Sequence, residues 1–438
     1  LNRIDNDVYI LCKGSMDSLI EKVNLTKNEQ KEILDKVKNL SKNALRTLGF
    51  AYKKLDYIPK DIKELEKEES NLSFAGILGM IDPPRESVKK SVYLCKNAGI
   101  RPIMITGDSI DTATAIAKNV GIISNDDEAI LGSELDKYND KELKNIVKQY
   151  SVYARVNPSH KERIVFALQN SGKIVAMTGD GVNDAPAIKD AHVGVGMGIT
   201  GTDVTKSASD IVLMDDSFST IVVAVEEGRR IYNNIRNNIV FSLSSNFAEI
   251  FTIIIGLLSK TTILLPIYIL FIDLVTDSIP SICLSFEKSE DGIMNKKPRG
   301  INKPLFTPFI KSCIVSSAII ETIFVVFTYF ISLKMYGQET AMSLALLSMV
   351  VQEIVYSISC RNLKQSIVKQ GLFSNKAMNY GLLLIFLIEL IVFITPIGKL
   401  ISITSIDISL ILVVFLINFI AIFIYELIKP LLVKLFKD

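Results

Sequence analysis

Two Thr-Gly-Asp tripeptides are the residues in this chain best suited to chemistry on a phosphate. The first spans 106–108, and the second opens the longer segment TGDGVND at 178–184. Carboxylates are the hard oxygen ligands that Mg²⁺ prefers, so Asp180 and Asp184 are candidate magnesium ligands, with Asn183 completing hydrogen bonds beside them. The second segment therefore predicts a magnesium-dependent site.

The first tripeptide adds groups that bind phosphoryl oxygens. Thr106 offers a hydroxyl together with the backbone N–H groups of its turn, which continues through Gly107 and Asp108. Lys161, in PSHKERI at the predicted start of a helix, supplies an ammonium that would offset phosphoryl charge. Two such tripeptides with a lysine between them predict a phosphoryl-transfer site rather than unrelated tight turns.

These residues need strands to position them, and the surrounding sequence has that pattern. Apolar runs at 72–82, 101–108 and 173–184 each end in a Gly/Asp turn, which predicts buried strands. Segments 88–99 and 160–172 between them have the periodicity of amphipathic helices. This alternation predicts an α/β domain with a doubly wound parallel sheet, in which functional residues gather beyond the carboxyl ends of the strands.

Another glycine pattern, GMGITG at 196–201, has Asp215 about 20 residues further on and so also fits a dinucleotide site. It does not open the first strand–helix unit of the predicted sheet, so we interpret it as tight turns. The chain contains no G-x-x-x-x-G-K-[ST] phosphate loop. Its net charge of +2 gives no case for binding nucleic acid.

The second half of the chain has a different composition. Six apolar stretches follow residue 238, and each is about 20 residues long, the length that crosses a bilayer as a helix. They cover 239–259, 263–284, 311–333, 340–358, 378–398 and 407–428. The soluble α/β part is therefore joined to a predicted α-helical bundle of six membrane spans, and the lipid bilayer is a predicted partner.

The basic residues indicate which side of the bilayer each connection faces. Lys and Arg cluster in 285–311, 359–376 and 429–438, whereas the opposite connections hold a single lysine each. By the positive-inside rule, the soluble half and the C-terminus are predicted to lie in the cytosol.

Acidic residues inside membrane spans are costly and therefore indicate function. The first span holds Asn246 and Glu249, three residues apart and predicted to share a helical face. The second span holds Asp273 and Asp277, four residues apart, with Thr276 beside them. These oxygen-bearing side chains suit a hard cation.

The fourth span adds Glu353, next to Gln352, to this predicted cation set. Pro266 and Pro280 bracket the second span and predict local unwinding, which would free backbone carbonyls. Three further glutamates stand alone in their spans, and for these we expect pairing with lysine or helix capping near the interface: Glu321, Glu389 and Glu426.

Taken in their order, these residues resemble the P-type cation-transporting ATPases. The matching motifs are DPPR at 82–85, MITGD at 104–108, ARVNPSHK at 154–161 and TGDGVNDAPAI at 178–188. Residues 212–235, which lead into the first span, are similar to the same family. The resemblance covers essentially the whole chain, and TGDGVNDAP is a very specific signature.

The resemblance implies a mechanism and a role for each matching residue. ATP would phosphorylate an aspartate in a haloacid dehalogenase-like domain with Mg²⁺ as cofactor, and conformational change would alternate access to a cation site between the spans. By position, Asp180 resembles the Mg²⁺ ligand. Thr106 and Lys161 resemble the phosphoryl binders, and Asn183 and Asp184 resemble their supporting shell.

Further positions resemble elements that contact the nucleotide. Lys13, in LCKGSMDSLI, is similar to the family's KGA element. Arg46, in ALRTLGFA, is similar to an arginine that contacts the adenine nucleotide. Asp82, Asp108 and Arg155 match positions that line the cleft between nucleotide and phosphate.

The implied domains are only part of such a pump. Residues 1–80 resemble the C-terminal part of the nucleotide-binding domain, 81–217 the phosphorylation domain without its nucleophile segment, and 218–438 a stalk helix with six spans. The family's phosphorylated aspartate lies in DKTGT, which this sequence does not contain, and the TGES loop and first four spans also precede residue 1 in the family's order. We therefore expect a C-terminal portion that is inactive alone and needs the missing N-terminal part.

The resemblance leaves the transported cation open. Six spans after the phosphorylation domain are similar to the calcium and sodium/potassium pumps, and residues 245–249 match an ion motif of both. Asp273 stands where sodium/potassium pumps have Asp, whereas Glu353 stands where sarcoplasmic-reticulum-type calcium pumps have a glutamate. Because Glu249, Asp273, Asp277 and Glu353 supply several carboxylates, we predict Ca²⁺, with a Na⁺, K⁺ or H⁺ pump as the alternative.

Two other classes of protein also fit parts of the sequence. A dehalogenase-like phosphatase would need an Asp-x-Asp nucleophile, and the one nearby candidate, Asp5–Asp7, precedes the nucleotide-type segment. A non-catalytic membrane protein would keep the spans but has no need of Thr106, Lys161 and Asp180 together. Both alternatives are therefore less favoured than a pump.

Overall fold

A computed structural model describes residues 1–5, 7–80, 83–125 and 128–436. The chain divides into two compact units, of which the first comprises Leu1–Ala224 with Met294–Ile301 and the second comprises Val225–Ile293 with Asn302–Asp438.

The first unit begins with a four-stranded antiparallel sheet in the order β1-β2-β3-β4. Its strands are Asn2–Ile4 (β1), Asp7–Gly14 (β2), Arg46–Leu55 (β3) and Ser73–Met80 (β4). The helices beside it are Met16–Leu19 (α1), Lys27–Lys42 (α2) and Ile62–Glu68 (α3). Ile10, Ala51 and Leu72 lie in the hydrophobic core that the sheet and helices share.

The position of β4 contradicts the sequence prediction of a buried parallel strand over 72–82. The strand pairs antiparallel with β3, with Arg46 opposite Met80, and its residues are exposed or half-buried. The apolar residues of this segment cover one face of an antiparallel sheet whose other face is solvated, so hydrophobicity alone did not reveal the direction of pairing.

Two parallel three-stranded ladders follow, in the orders β5-β7-β6 and β8-β9-β10. Their strands are Met104–Ile105 (β5), Ala129–Leu131 (β6), Val152–Ala154 (β7), Ala176–Gly179 (β8), Val193–Met197 (β9) and Ile211–Leu213 (β10). The helices around them are Glu86–Asn97 (α4), Ile110–Val120 (α5), Gly132–Leu135 (α6), Asp140–Ile146 (α7), Pro158–Asn170 (α8), Ala185–Asp190 (α9) and Asp203–Ala208 (α10), with a 3₁₀ turn at Val182–Asp184.

The parallel pairing and the alternation of strands and helices confirm part of the predicted α/β architecture. One continuous doubly wound sheet is not formed within the described residues, because β5 and β8 each stand at the edge of a separate ladder. The ladders nevertheless share apolar packing, since Ile105 of β5 lies against the cluster that contains Met177 of β8 and Val165 of α8.

The second unit contains the six helical segments that are long and apolar enough to cross a membrane, which confirms the six predicted spans. Its helices are Phe218–Leu258 (α11, which begins in the first unit), Pro266–Phe271 (α12), Ser278–Ser285 (α13), Pro308–Tyr336 (α14), Gln338–Cys360 (α15), Ile367–Gln370 (α16), Lys376–Ile394 (α17), Ile408–Phe419 (α18) and Ala421–Leu435 (α19). A π-helix at Ile272–Asp277 joins α12 to α13, and 3₁₀ turns occupy Ile293–Asn295 and Pro396–Ile401.

Helix α15 is the most enclosed of these spans. Its apolar residues Leu344, Val350 and Val355 are fully buried, whereas Leu383 and Leu387 of α17 are exposed on the surface of the bundle. Apolar side chains on the outside suit contact with lipid, while the polar residues Gln352 and Glu353 in the middle of α15 are fully buried.

The second span contains a π-helical segment where the sequence predicted local unwinding. Between Pro266 and Pro280 the helix widens into the π-helical segment instead of opening. Proline has no N–H to offer the carbonyl four residues earlier, which favours such an irregularity. The Ser278 hydroxyl satisfies one carbonyl of this segment, since it donates to that of Asp273 at 2.7 Å, and the Thr276 hydroxyl oxygen lies 3.1 Å from the Ile272 carbonyl.

Candidate functional site

The loop after β5 holds the first Thr-Gly-Asp tripeptide in a small turn. The N–H of Thr106 donates to the Tyr153 carbonyl of β7 at 2.9 Å. The Asp108 N–H donates to the Thr106 hydroxyl oxygen, and that hydroxyl donates to the Asp108 carboxylate, both at 3.1 Å. Gly107 is exposed, and an added Cβ there would meet nothing within 4 Å. The turn is therefore open at the carboxyl end of its strand.

Two arginines lie against this turn. Arg155 follows β7, and its N–H donates to the Asp108 carbonyl at 3.0 Å, while its guanidinium pairs with Asp17 of α1. Arg155 has a left-handed backbone with φ of 49°, which costs a non-glycine residue about 1–2 kcal/mol and must be held by its surroundings. Arg46, the first residue of β3, places Nε 3.6 Å from Asp108 Oδ1.

Lys13 and Asp82 are the two other candidates for contact with a nucleotide. Lys13 lies on β2 and is exposed to solvent. Asp82 lies outside the described residues. The structure thus brings Arg46, Asp108 and Arg155 together, with Lys13 accessible elsewhere on the same sheet.

Lys161 forms an ion pair with Asp184. It lies in the first turn of α8, where the Asn157 side chain accepts the His160 N–H at 2.9 Å and Pro158 takes the first helical position. The paired side chains are only 17% and 10% exposed. Because water is largely excluded, their attraction is stronger than that of a surface pair.

Gly179 allows Asp184 to fold back over the end of β8. A Cβ on Gly179 would lie 2.5 Å from the Asp184 Cβ and 2.6 Å from its Cγ. The N–H of Gly181 donates to Asp184 Oδ2 at 3.4 Å. Asp184 is therefore held between the loop backbone and Lys161 instead of facing solvent.

Asp180 and Asn183 are both exposed in the second loop, as is Val182 between them. The Asp180 carbonyl accepts the Thr202 N–H at 3.0 Å and the Thr205 hydroxyl at 3.4 Å, which anchors its backbone. No three Asp, Glu, His or Cys side chains form a metal-binding group in the part of the chain that the structure describes. Mg²⁺ usually takes only one or two carboxylates and keeps several waters, so Asp180 is chemically suited to hold it.

The turn at 196–201 uses its N–H groups internally. The Asp216 carboxylate accepts the N–H of Ile199 at 3.0 Å and that of Thr200 at 2.7 Å. These hydrogen bonds lower the pKa of Asp216 to about 2, and the one from the Ile199 N–H has the largest effect. A dinucleotide pyrophosphate needs free N–H groups, so this pairing supports the interpretation as tight turns.

The second unit brings several predicted cation ligands together in its interior. Glu353 of α15 is fully buried and accepts hydrogen bonds from the hydroxyls of Ser245 at 2.8 Å and Thr276 at 2.5 Å. Glu249 and Asp277 are also buried, and each has a carboxylate oxygen without a partner. Three spans thus meet at Glu353.

Asn246 and Asp273 stand apart from this interior, because both are exposed. On α11 it is Ser245 that reaches Glu353, since it lies four residues from Glu249 and one helical turn takes about 3.6 residues. Asn246 and Glu249 are three residues apart on the continuous helix α11, but only Glu249 is buried. Asp273 still lies close enough to act electrostatically on Glu249 and Asp277.

The three lone glutamates differ from one another. Glu426 pairs with Lys429 and accepts the Ser359 hydroxyl at 3.0 Å, which confirms the expectation for it. For Glu321 and Glu389 the expectation of pairing or capping is wrong, because both are buried and neither carboxylate oxygen of either residue has a partner. They face the protein interior and not the interface where lysines lie.

The side chain of Gln352 forms hydrogen bonds with two other helices and not with the predicted cation ligands. Its side-chain amide donates to Asn418 Oδ1 at 2.9 Å and accepts the Tyr425 hydroxyl at 3.1 Å. Although it is next to Glu353 in sequence, its polar atoms join α15 to α18 and α19.

Family models recognise both units of the chain. The model for "P-type ATPase, cytoplasmic domain N" matches residues 5–87, and the model for "Cation transporting ATPase, C-terminus" matches residues 261–431. The chain belongs to the P-type cation-transporting ATPases.

Several relatives of this P-type ATPase are named as calcium pumps. "Calcium-transporting ATPase 1" of Bacillus cereus is 39% identical over 97% of this chain and 51% of its own length. "Calcium-transporting ATPase" of Bacillus subtilis is 36% identical over 90% of this chain and 45% of its own length. "Calcium-transporting ATPase" of Plasmodium falciparum is 44% identical over 68% of this chain and 27% of its own length. The chain spans about half the length of these bacterial relatives.

Two features of this P-type ATPase chain escaped sequence reasoning. Ser245 and Glu321 are both buried next to predicted ligands. Ser245 was detectable, because a residue four positions from Glu249 shares its helical face. Nothing in the sequence distinguished Glu321 from Glu426, since each is a single acid in an apolar span.

Proposed function

We propose that the intact protein is an ATP-driven Ca²⁺ pump that works through an aspartyl phosphate, and that this chain forms its C-terminal portion. The observation that carries the proposal is one chain that combines the shielded Lys161–Asp184 pair with Glu353 buried among apolar spans. The names of the relatives support Ca²⁺ as the transported ion.

In the proposed first step, an aspartate carboxylate attacks the γ-phosphorus of ATP, the bond to the bridging oxygen breaks, and ADP leaves. Thr106 would donate its hydroxyl to a phosphoryl oxygen, and Lys161 would offset the negative charge that the transfer carries. Asp180 would hold Mg²⁺, which neutralises phosphate charge when bound. Asp184 positions Lys161 through the ion pair, and Asn183 would support the exposed loop.

In this proposal the nucleotide would lie against the four-stranded antiparallel sheet of the first unit. Arg155 contacts Asp108 through its backbone N–H, and the guanidinium of Arg46 beside Asp108 supplies positive charge for phosphates. Lys13 is accessible for a further contact, and Asp82 keeps the role that its motif implies. The phosphorylated aspartate would come from the N-terminal part of the pump, close to the ends of β5 and β8.

The cation would bind between the spans. Glu353, Glu249 and Asp277 supply buried carboxylates, and Thr276 supplies an oxygen beside them. Asn246 and Asp273 would join this set when the remaining spans of the pump pack against α11 and the π-helical segment. Ca²⁺ takes six to eight oxygen ligands, which these side chains provide together with backbone carbonyls and water.

The orientation in the membrane follows from charge. By the positive-inside rule, the basic connections at 285–311 and 359–376 support a cytosolic position for the soluble unit and the C-terminus.

Transport by the full-length protein tests the proposal. Vesicles that contain it should accumulate Ca²⁺ when ATP is added, and the Asp180→Asn variant should abolish uptake. A protein that needs Na⁺ or K⁺ and ignores Ca²⁺ would be the monovalent pump instead. ATP-independent hydrolysis of phosphate esters without any ion uptake would favour the phosphatase class, and ion binding without ATP turnover would favour a non-catalytic protein.

A further inference from the structure

Glu321 is a buried acid that lies outside the predicted cation set. It lies on α14 and is fully buried, and neither of its carboxylate oxygens has a hydrogen-bond partner. An unpaired ionised carboxylate in an apolar interior costs several kcal/mol. Glutamate at this position therefore needs a compensating group that the described side chains do not supply.

The hairpin of α14 and α15 places Glu321 level with Glu353. The two helices are joined at Gly337, and Glu321 lies sixteen residues before it while Glu353 lies sixteen residues after it. Thr328 donates to Ser348 at 3.3 Å across the same pair of helices, which agrees with this register. Both glutamates are fully buried.

A second contact aligns Glu321 with α11. The hydroxyl of Thr322 lies 3.4 Å from the carbonyl of Ala248. Thr322 directly follows Glu321 in the sequence, and Ala248 directly precedes Glu249. Glu249 and Asp277 act electrostatically on Glu321, and Glu321 acts on Glu353. Glu321 is thus one of four buried carboxyl groups from four different helical segments.

The hydrogen-bond donors that reach Glu353 are neutral, and the charged group that acts on Glu249 and Asp277 is the carboxylate of Asp273. Hydroxyls of Ser245 and Thr276 serve Glu353. The basic side chains of Arg361 and Lys429 form ion pairs with other acids, since Arg361 pairs with Glu287 and Lys429 pairs with Glu426. A bound cation would supply positive charge at this place.

We propose that Glu321 is a further carboxylate of the transported-cation site, and that its charge makes the site select a divalent over a monovalent ion. The proposal rests on the proposed function, since it requires a transported cation. Glu321 adds a carboxyl group that interacts electrostatically with Glu249, Asp277 and Glu353, and more carboxylates strengthen binding of a doubly charged ion more than that of a singly charged one.

Glu389 provides a matched control for the test. It too is a buried glutamate in a span, with both carboxylate oxygens unpartnered. Its surroundings on α17 are apolar, with Phe393 and Leu347 nearby. Replacing Glu389 with Gln makes the same chemical change in a similarly buried position away from the four carboxyls.

The experiment measures Ca²⁺ and Na⁺ affinity of the full-length protein in detergent by equilibrium binding, together with the unfolding temperature. Glu321→Gln should weaken Ca²⁺ binding at least tenfold and shift the Ca²⁺/Na⁺ preference by a similar factor, while Glu389→Gln should change either value less than twofold. Equal effects of the two substitutions, or no effect of Glu321→Gln, would overturn the proposal.

Two further outcomes separate this proposal from the pump assignment. If Glu321→Gln does not fold, Glu321→Asp keeps the charge but withdraws it by one methylene, and it should weaken Ca²⁺ binding where Glu389→Asp does not. If the wild-type protein transports Na⁺ or K⁺ and not Ca²⁺, the calcium assignment fails. The divalent preference assigned to Glu321 then fails too, even if Glu321→Gln alters monovalent affinity.

Discussion

The ammonium of Lys161 and the carboxylate of Asp184 form a shielded ion pair at the ends of α8 and β8. The pair joins the start of α8 to the loop that follows β8, and Gly179 leaves the space that Asp184 needs. Removing one member of a buried pair leaves an uncompensated charge, which is more damaging than removing both.

Lys161→Met should lower ATP hydrolysis by the full-length pump about 100-fold or more, because a positioned cation at a transferring phosphoryl group contributes about two to three orders of magnitude. Lys161→Arg should lose less, since the charge remains. Ca²⁺ binding should persist in both variants, because the buried carboxyls lie in the second unit. A wild-type hydrolysis rate in Lys161→Met would contradict the role assigned to Lys161.

Gly179→Ala should displace Asp184 and destabilise its loop by about 1–3 kcal/mol, since a Cβ there would lie 2.5 Å from the Asp184 side chain. Gly181→Ala is the matched control, because an added Cβ at Gly181 has its nearest contact at 3.5 Å. Amide hydrogen exchange over 176–190 should accelerate in Gly179→Ala and change little in Gly181→Ala. Equal protection in both variants would show that the loop tolerates the clash.

The turn at 196–201 should lose stability only in strong acid. The pKa of Asp216 is lowered to about 2 by hydrogen bonds, that from the Ile199 N–H first. A depressed pKa adds stability that is present above the unfolded value of about 3.9 and is lost as pH falls through about 2. Exchange of the Ile199 and Thr200 amides should therefore be independent of this group from pH 5 to 8.

Asp216→Asn should speed exchange of the same two amides at neutral pH, because the amide oxygen is a weaker acceptor than the carboxylate. Asp215→Asn is the control, since Asp215 instead accepts the Thr220 hydroxyl at 2.6 Å. Identical exchange at Ile199 and Thr200 in both variants would show that Asp216 does not hold this turn.

Ser245→Ala should reduce Ca²⁺ affinity about 5- to 150-fold, because it leaves one Glu353 oxygen without its hydroxyl donor, and an unsatisfied buried polar group costs about 1–3 kcal/mol. Ser244→Ala is an adjacent control in the same helix and is equally buried. The Ser244 hydroxyl donates to the Val240 carbonyl at 2.6 Å and does not serve Glu353. Equal Ca²⁺ affinities of the two variants would exclude a special role for Ser245.

The sequence was sufficient for the features that depend on local pattern. Hydropathy over about 20 residues locates a membrane helix without knowledge of its neighbours, and all six spans appear in the structure. Gly/Asp turns after apolar runs located β5 and β8, and the segment PSHKERI marked the start of α8. These signals arise from backbone geometry and hydrogen bonding within a few residues.

Contacts between distant segments required the tertiary structure. The antiparallel pairing of β4 depends on β3, and the approach of Arg46 to Asp108 depends on how the sheet lies against the parallel ladders. Apolar residues in a strand satisfy either pairing direction, so their pattern does not distinguish them.

The acidic residues of the membrane spans also depend on the tertiary structure for their contacts. Glu321 and Glu426 are single glutamates in apolar spans, yet one is fully buried without a partner and the other pairs with Lys429. A helix places a side chain every 100° or so, and only the packing of neighbouring helices decides which of those directions meets another carboxyl, a lysine or lipid.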